Sequence, residues 1–386
     1  MATSDTGRYP RAFAWFSSFV DTERSHPSSP AEFNLPRTQA LLDLLGEPQR
    51  RFPSVMIAGT KGKGSTAAMT ASILQAAGLR SGLYTSPHLH SYRERLQTNG
   101  SMIGKDEFVS LTEQVQPFIE QMDPTLGELS IYEVLTALAL TYFSERVDCA
   151  VLEVGLGGRY DAVNAVTPIV SAITSISFDH MRILGNTLAE IAWHKAGIIK
   201  RGVPTITVPQ AAEVDAVLRH VAEQQLAPLF VARDSGLDDG DNAMVQTYPA
   251  PITAETVALR GLVQLENARL ASGIALLLRV AGLDIPDVAF SAGLASVRWP
   301  GRLEVLSELP LVVVDGAHNG DSATKLAAAL RRVFRFERLI LVLGTSADKD
   351  IDAIAAALVP KAAAVVLTRS PHPRSASVGA LLAASK

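Results

Sequence analysis

The stretch Val55-Met56-Ile57-Ala58-Gly59-Thr60-Lys61-Gly62-Lys63-Gly64-Ser65-Thr66 constrains this chain more than any other, because an apolar run empties into a Gly/Lys-rich turn and then a helical pattern. That order reads as strand, phosphate loop and helix. Glycines at 59, 62 and 64 let backbone N–H groups turn inward on an anion, the helix N-terminus adds its dipole, and Lys63 adds a full charge. A nucleoside triphosphate suits such a cradle. The strict phosphate-loop pattern has a glycine where this chain has Ile57, so the motif is a variant. Alone, it reads equally well as a tight strand–helix turn.

The same alternation recurs downstream. Gly82–Thr85 reads as a strand ending in Ser86-Pro87-His88. Cys149–Val154 reads as a strand buried on both faces, with Glu153 near its end, followed by Gly155-Leu156-Gly157-Gly158-Arg159-Tyr160-Asp161. Ile169–Phe178 reads as another, ending in Asp179-His180. Helical patterns at Thr66–Ala77, Lys105–Met122 and Tyr132–Arg146 alternate with these strands, and two more, Ala12–Val20 and Arg37–Leu45, precede them around the Pro/Ser-rich Ser25–Pro36. Continuous apolar strands alternating with helices predict a doubly wound, mostly parallel α/β sheet that gathers ligands at the carboxyl ends of its strands. Polar clusters at 59–66, 86–88, 153–161 and 179–180 all fall at such ends. The polar 87–104 stretch is too long to be mere connection.

Helix Thr187–Lys200 carries the oddest residue. Leu188, Ile191, Ala192, Lys195, Ile198 and Ile199 share one stripe, which puts Lys195 on the face that should be buried. Burial would leave a neutral amine able to take up carbon dioxide as a carbamate. The alternative is a lysine that snorkels to the stripe's edge.

Strand and helix signals continue at Pro204–Val208, Ala211–Gln225 and Leu229–Val231. Residues 234–260 read as an irregular hairpin excursion, and helices at Leu262–Ala281, carrying Gln264 and Asn267, and Pro286–Leu294 come next. The Pro-Gly break in Val297–Arg302 reads as a linker. Beyond it the alternation restarts with Leu311–Val314 ending in Asp315, the turn Gly316-Ala317-His318-Asn319, helix Asp321–Val333, strand Leu339–Leu343, helix Ile351–Leu358 and strand Ala363–Leu367. Domains at 1–297 and 298–386 are therefore expected, the second a smaller α/β unit. A chain of 386 residues also exceeds what one core usually holds. Net charge of −4 gives no electrostatic case for nucleic acid or an anionic membrane. The single cysteine, Cys149, has no partner for an internal disulfide, and no signal pattern or membrane-length run stands out, so a cytoplasmic protein is expected.

The phosphate loop, Thr85-Ser86-Pro87-His88-Leu89, Glu153-Val154-Gly155-Leu156-Gly157-Gly158-Arg159, Asp179-His180, Lys195-Ala196-Gly197-Ile198-Ile199-Lys200, Pro300-Gly301-Arg302 and Asp315-Gly316-Ala317-His318-Asn319 stand in this order along residues 12–375. In that order the chain resembles the folylpolyglutamate synthase/dihydrofolate synthase family of the Mur ligase superfamily. The resemblance implies a Mur-ligase-like central domain followed by a Rossmann-like one. It also implies ATP-driven amide formation, in which a folate carboxylate takes the γ-phosphoryl group and the amine of L-glutamate attacks the acyl phosphate.

Residue by residue, the resemblance implies ATP binding by Gly59, Thr60, Lys61, Gly62, Lys63, Gly64, Ser65, Thr66, Asn267, Arg302 and Asp315, with His318 close to the phosphates. It implies two magnesium sites drawn from Ser86, Glu153, His180 and a carbamylated Lys195, with Ser65 or Thr66 as a further oxygen, and a monovalent cation besides. Pro87, His88, Tyr160, Asp161 and Ala162 match folate contacts, and Lys63, Glu153, His180, Lys195, Arg302 and His318 match the groups around the reacting atoms. Each has a plainer reading: Asp315 and His318 as a capped strand-end turn, Glu153 as a satisfied carboxylate, His180 as a core histidine, Ser86-Pro87-His88 as the start of a loop, Asp161 as a polar turn. With nucleotide and metals on one domain and Arg302 and Asp315 on the other, the resemblance implies closure around the site. Substrates are expected to be small molecules, L-glutamate with dihydropteroate or a reduced folate, acting on a monomer.

Three departures qualify the match. Val263 stands where the family usually has histidine ahead of Asn267. His194 precedes Lys195 where an acidic residue is common. The family also continues into a last helix and strand, whereas this chain stops at Lys386, so a shortened second domain is expected. Two competing readings keep the fold: an amide ligase for another carboxylate acceptor, and a nucleotide-binding homologue with impaired catalysis.

Overall fold

The computed structural model describes residues 7–22, 34–239 and 243–385; most of Ser25–Pro36 lies outside them. The chain divides into two compact units, Met1–Val257 with Glu266–Val297, and Ala258–Leu265 with Arg298–Lys386.

Among the described residues the first unit holds one ten-stranded sheet: β1 Ser54–Ala58, β2 Ser81–Tyr84, β3 Leu96–Thr98, β4 Ser101–Met102, β5 Cys149–Glu153, β6 Val170–Ile173, β7 Thr205–Thr207, β8 Leu229–Ala232, β9 Gly236–Asp238 and β10 Met244–Thr247. Its order is β10-β9-β8-β7-β6-β1-β5-β2-β3-β4. The six strands from β8 to β2 run parallel, and antiparallel pairs close both edges. β1, β5 and β6 are buried throughout, which is why they read as unbroken apolar runs. Strand order reverses between β1 and its neighbours β5 and β6, so the loops after these strands open at a switch point.

Two helices lock the frame. Helix Lys63–Ala76 meets helix Asp287–Ser296 at backbone contact: a Cβ on Gly293 would lie 2.5 Å from Ile73 Cα, and Ser72 Oγ donates to Gly293 O at 2.7 Å. Helix Ile131–Phe143 starts in a Ser130/Glu133 capping box. The Glu133 carboxylate also takes Arg37 Nε at 2.8 Å and Nη2 at 2.7 Å, tying in helix Leu35–Leu44.

The second unit contains an antiparallel pair, β11 Glu304–Glu308 with β12 Leu311–Val314, and a parallel pair, β13 Ile340–Leu343 with β14 Ala364–Leu367. Ala323, Leu343, Ile354 and Leu358 form its small core, between β13 and the helices Gly320–Val333 and Ile351–Leu358.

Two expected elements differ. The polar 87–104 region contains the hairpin β3–β4, turned at Asn99 (φ 49°) and Gly100 (φ 74°). The strand expected to reach Phe178 stops at Ile173, because the next residues serve the phosphate loop instead of a neighbouring strand: Ser175 O accepts from Thr60 N at 3.0 Å, and Ser177 N donates to Thr60 Oγ1 at 3.1 Å. Asp179 and His180 therefore lie beyond the strand end in an irregular segment, not on it.

Candidate active site

The loop after β1 is built around two glycines that nothing else can replace. Gly59 has φ +141°, and a Cβ there would sit 1.8 Å from Thr174 Oγ1. Gly62 has φ +92°, and its Cβ would fall 2.2 Å from Asn267 Oδ1. Asn267 is thus packed against the phosphate loop, buried in helix Leu262–Val280. The first helical bond runs from Thr66 N to Gly62 O at 2.8 Å, so the amides of Lys63, Gly64 and Ser65 have no intrahelical acceptor and face the loop's concavity.

Three lysines converge on this loop. Lys61 Nζ pairs with Asp179 Oδ2 at 2.8 Å with both side chains largely buried, fastening the loop to the segment after β6. Lys195, 4% exposed, donates from Nζ to Gly59 O at 2.8 Å. Burial, with Lys63 and Lys61 nearby, pushes its amine well below the ordinary lysine range; Asp179 and Asp161 pull the other way. Lys195 is therefore buried and does not snorkel. Its helix, Leu188–Ala196, starts in a Thr187/Glu190 capping box and ends earlier than its stripe suggests, because Gly197 lies against Arg159, where a Cβ would come within 2.3 Å of Arg159 Cβ.

Parallel register places Glu153 and Ser86 side by side at the ends of β5 and β2, and Ser86 N donates to Glu153 Oε2 at 3.1 Å. The Ser86–Pro87 peptide is cis. Beyond it, His88 Nδ1 accepts from Arg95 Nε at 3.0 Å, with the Arg95 guanidinium over Tyr92 and the His88 ring 4.3 Å from that of Tyr92. Glu94 accepts from the amides of Leu89, His90 and Ser91, which folds the rest of this loop. His180 caps the short helix Met181–Leu184 in a left-handed conformation, φ 50°, its amide donating to Asp179 Oδ1 at 3.0 Å.

Asp161 is 2% exposed and accepts four hydrogen bonds: Tyr132 OH and Val163 N on Oδ1, Gly155 N and Leu156 N on Oδ2. Burial raises its pKa to about 6 against these bonds. It thus folds the loop after β5, while Tyr160 projects from that loop and Ala162 is buried behind it. Arg159 N donates to His194 O at 2.8 Å, joining the loop to the helix of Lys195. Sequence reasoning did not single out Tyr132, whose hydroxyl also accepts from Gly155 N at 2.9 Å; its place three residues after Leu129 in an apolar helix start gave no signal.

In the second unit the β11–β12 pairing brings Arg302 beside the Asp315 turn. Asp315 accepts from Leu303 N and Ala317 N, both at 2.9 Å, and Arg302 Nη1 lies where a Cβ on Gly316 would be, 2.3 Å away. His318 Nδ1 is 2.8 Å from Gly316 O, and Asn319 caps helix Gly320–Val333. Asp315 and His318 do stabilise their own turn, as the plainer reading expected.

Among the described residues no three His, Cys, Asp or Glu side chains group as a metal cluster. The oxygen donors near the phosphate loop are instead Ser86, Glu153 and Thr66, whose buried Oγ1 has no partner among the described residues.

Profiles of the Mur ligase middle domain and the Mur ligase glutamate ligase domain match residues 57–275 and 301–386. The dihydrofolate synthase/folylpolyglutamate synthase of Bacillus subtilis is 39% identical over 326 residues, 82% of this chain and 76% of that protein. The chain belongs to the folylpolyglutamate synthase/dihydrofolate synthase family. Mycobacterium tuberculosis folylpolyglutamate synthase complexed with ADP superposes with TM-score 0.85 at 35% identity, covering 98% of this chain and 85% of that one. A folylpolyglutamate synthase complex with AMPPCP and folate gives TM-score 0.83 at 31% identity, covering 98% and 93%. The segments that converge on the phosphate loop of this family member are ones whose order along the chain carried the resemblance. No helix among the described residues is long and apolar enough to cross a membrane.

Proposed function

We propose that this chain is an ATP-dependent ligase that joins L-glutamate to the carboxylate of dihydropteroate or a reduced folate through an acyl phosphate. The observation that carries the reading is the buried Lys195 amine reaching the phosphate-loop carbonyl of Gly59, at the end of the strand paired with that of Glu153, which holds Ser86 N. Phosphoryl transfer needs alignment and charge neutralisation more than covalent help. The amides of Lys63, Gly64 and Ser65 would align the β- and γ-phosphates, with Lys63 neutralising charge, Thr60 and Lys61 bracing the loop from behind, and Asn267 fixing Gly62.

The donor set fits magnesium. Glu153, Ser86 and Thr66 offer hard oxygens of mixed type and leave room for the waters that Mg2+ retains. His180 would join them, and Lys195 would add two more oxygens as a carbamate, its neutral amine adding to carbon dioxide with release of one proton. When bound, magnesium would screen the triphosphate and polarise the γ-phosphoryl group. The relatives' names support the acid acceptor, and Pro87, His88 and Tyr160 would border it, with Asp161 and Ala162 holding Tyr160 in place.

The test is ADP release by the purified chain with ATP, magnesium and L-glutamate, comparing dihydropteroate, tetrahydrofolate and no acceptor. Acceptor-dependent release is expected. Release independent of acceptor, or none, would leave only a nucleotide-binding homologue.

A further inference from the structure

One cationic group next to Lys195 has no part in the ligation chemistry. Arg159 lies with its guanidinium carbon 3.8 Å from the centre of the Trp193 ring. Its Nη2 donates to Trp193 O at 3.3 Å, while its buried Nε has no partner among the described residues. No carboxylate among them pairs with it; Glu190, on the same helix, is committed to the capping box at Thr187. Tyr160 and Trp193 flank the group, 37% and 42% exposed, with ring centres 6.5 Å apart. His194 completes the wall, 5.1 Å from Trp193 and 5.9 Å from Tyr160.

A guanidinium held over an indole keeps its remaining donors for a second polar group, and the flanking rings offer faces to an aryl system. An uncompensated arginine in a half-buried aromatic setting binds carboxylate more strongly than one in open water. The backbone bond from Arg159 N to His194 O ties its loop to the helix that carries Lys195.

We propose that Arg159, on its Trp193 platform and beside Tyr160, is the subsite for a second carboxylate of the acid acceptor, the one an acceptor carries only when it already bears a glutamyl unit. The proposal rests on the ligase reading. It makes Arg159 the residue that separates glutamylated acceptors from those ending at the benzoate.

The experiment titrates folate and pteroate, which differ by the glutamyl unit, into the intact chain with AMPPCP and magnesium. The wild-type chain is expected to hold folate more tightly than pteroate. Arg159→Gln is expected to weaken folate by about tenfold or more, the size of a lost charge-assisted pair, and to leave pteroate within about twofold. Trp193→Ala, at an exposed position that tolerates truncation, is expected to lose part of the same preference. Equal binding of both ligands by the wild type, or an unchanged ratio in folded Arg159→Gln and Trp193→Ala, overturns the subsite while leaving the ligase reading intact. Failure of both ligands to bind the wild type overturns both.

Discussion

Lys195 is a residue whose stability and function pull in opposite directions. An amine held among apolar side chains with two lysines nearby costs folding energy, yet it bonds the carbonyl that opens the phosphate loop. Lys195→Met is therefore expected to fold with a melting temperature close to the parent's and to lose turnover, read by calorimetry beside ADP release. Asp161 gives a pH signature of known sign. Its pKa is raised to about 6 from the ordinary 3.8, so the native state binds the proton more readily than the unfolded chain. The resulting stability is fully present below pH about 4 and is lost as pH rises through about 6, a swing of about 3 kcal/mol for a shift of this size. Denaturant unfolding of wild type against Asp161→Asn should show that excess slope between pH 4 and 6; parallel curves would remove Asp161 as its source.

At the scale of elements, what the sequence revealed and what it hid have physical causes. β1, β5 and β6 were legible because burial on both faces leaves no polar alternation to blur them. Helix Leu188–Ala196 was legible as an apolar stripe, but its end was not, because Gly197 stops it through contact with Arg159 from another loop. The segment after Ile173 looked like strand since Thr174–Phe178 is apolar enough, yet its backbone bonds go to Thr60. The β3–β4 hairpin left one trace, the Asn99-Gly100 pair. Candidate site residues were read from their order along the chain, whereas Tyr132 and Arg95, which shape the loops without carrying a motif, gave no such signal. Two substitutions probe this level. Gly293→Ala forces a methyl group against Ile73 backbone and is expected to destabilise by about 1–3 kcal/mol in chemical unfolding. Arg37→Met strands the Glu133 carboxylate in a buried capping box and is expected to cost about 3 kcal/mol or more by the same measurement.

For the molecule as a whole, the candidate site residues fall in two units that each organise their own cluster. The first holds the phosphate loop, Glu153, His180 and Lys195; the second holds Arg302, Asp315 and His318 on one hairpin. Arg302 is expected to matter for turnover and little for folding, since its guanidinium bonds the carbonyl of its own neighbour, Gly301. Arg302→Ala should therefore reduce the rate of ADP release with an unchanged melting curve, and unaltered kinetics would exclude it from the reaction. Lys195 touches the loop through a single hydrogen on nitrogen, and a nitrogen that has taken up carbon dioxide retains one such hydrogen. A carbamate there would keep that hydrogen bond to Gly59 O and so hold its oxygens on a pinned nitrogen. An engineered glutamate at this position would bring the anion without that nitrogen, and is expected to leave the enzyme idle even in bicarbonate.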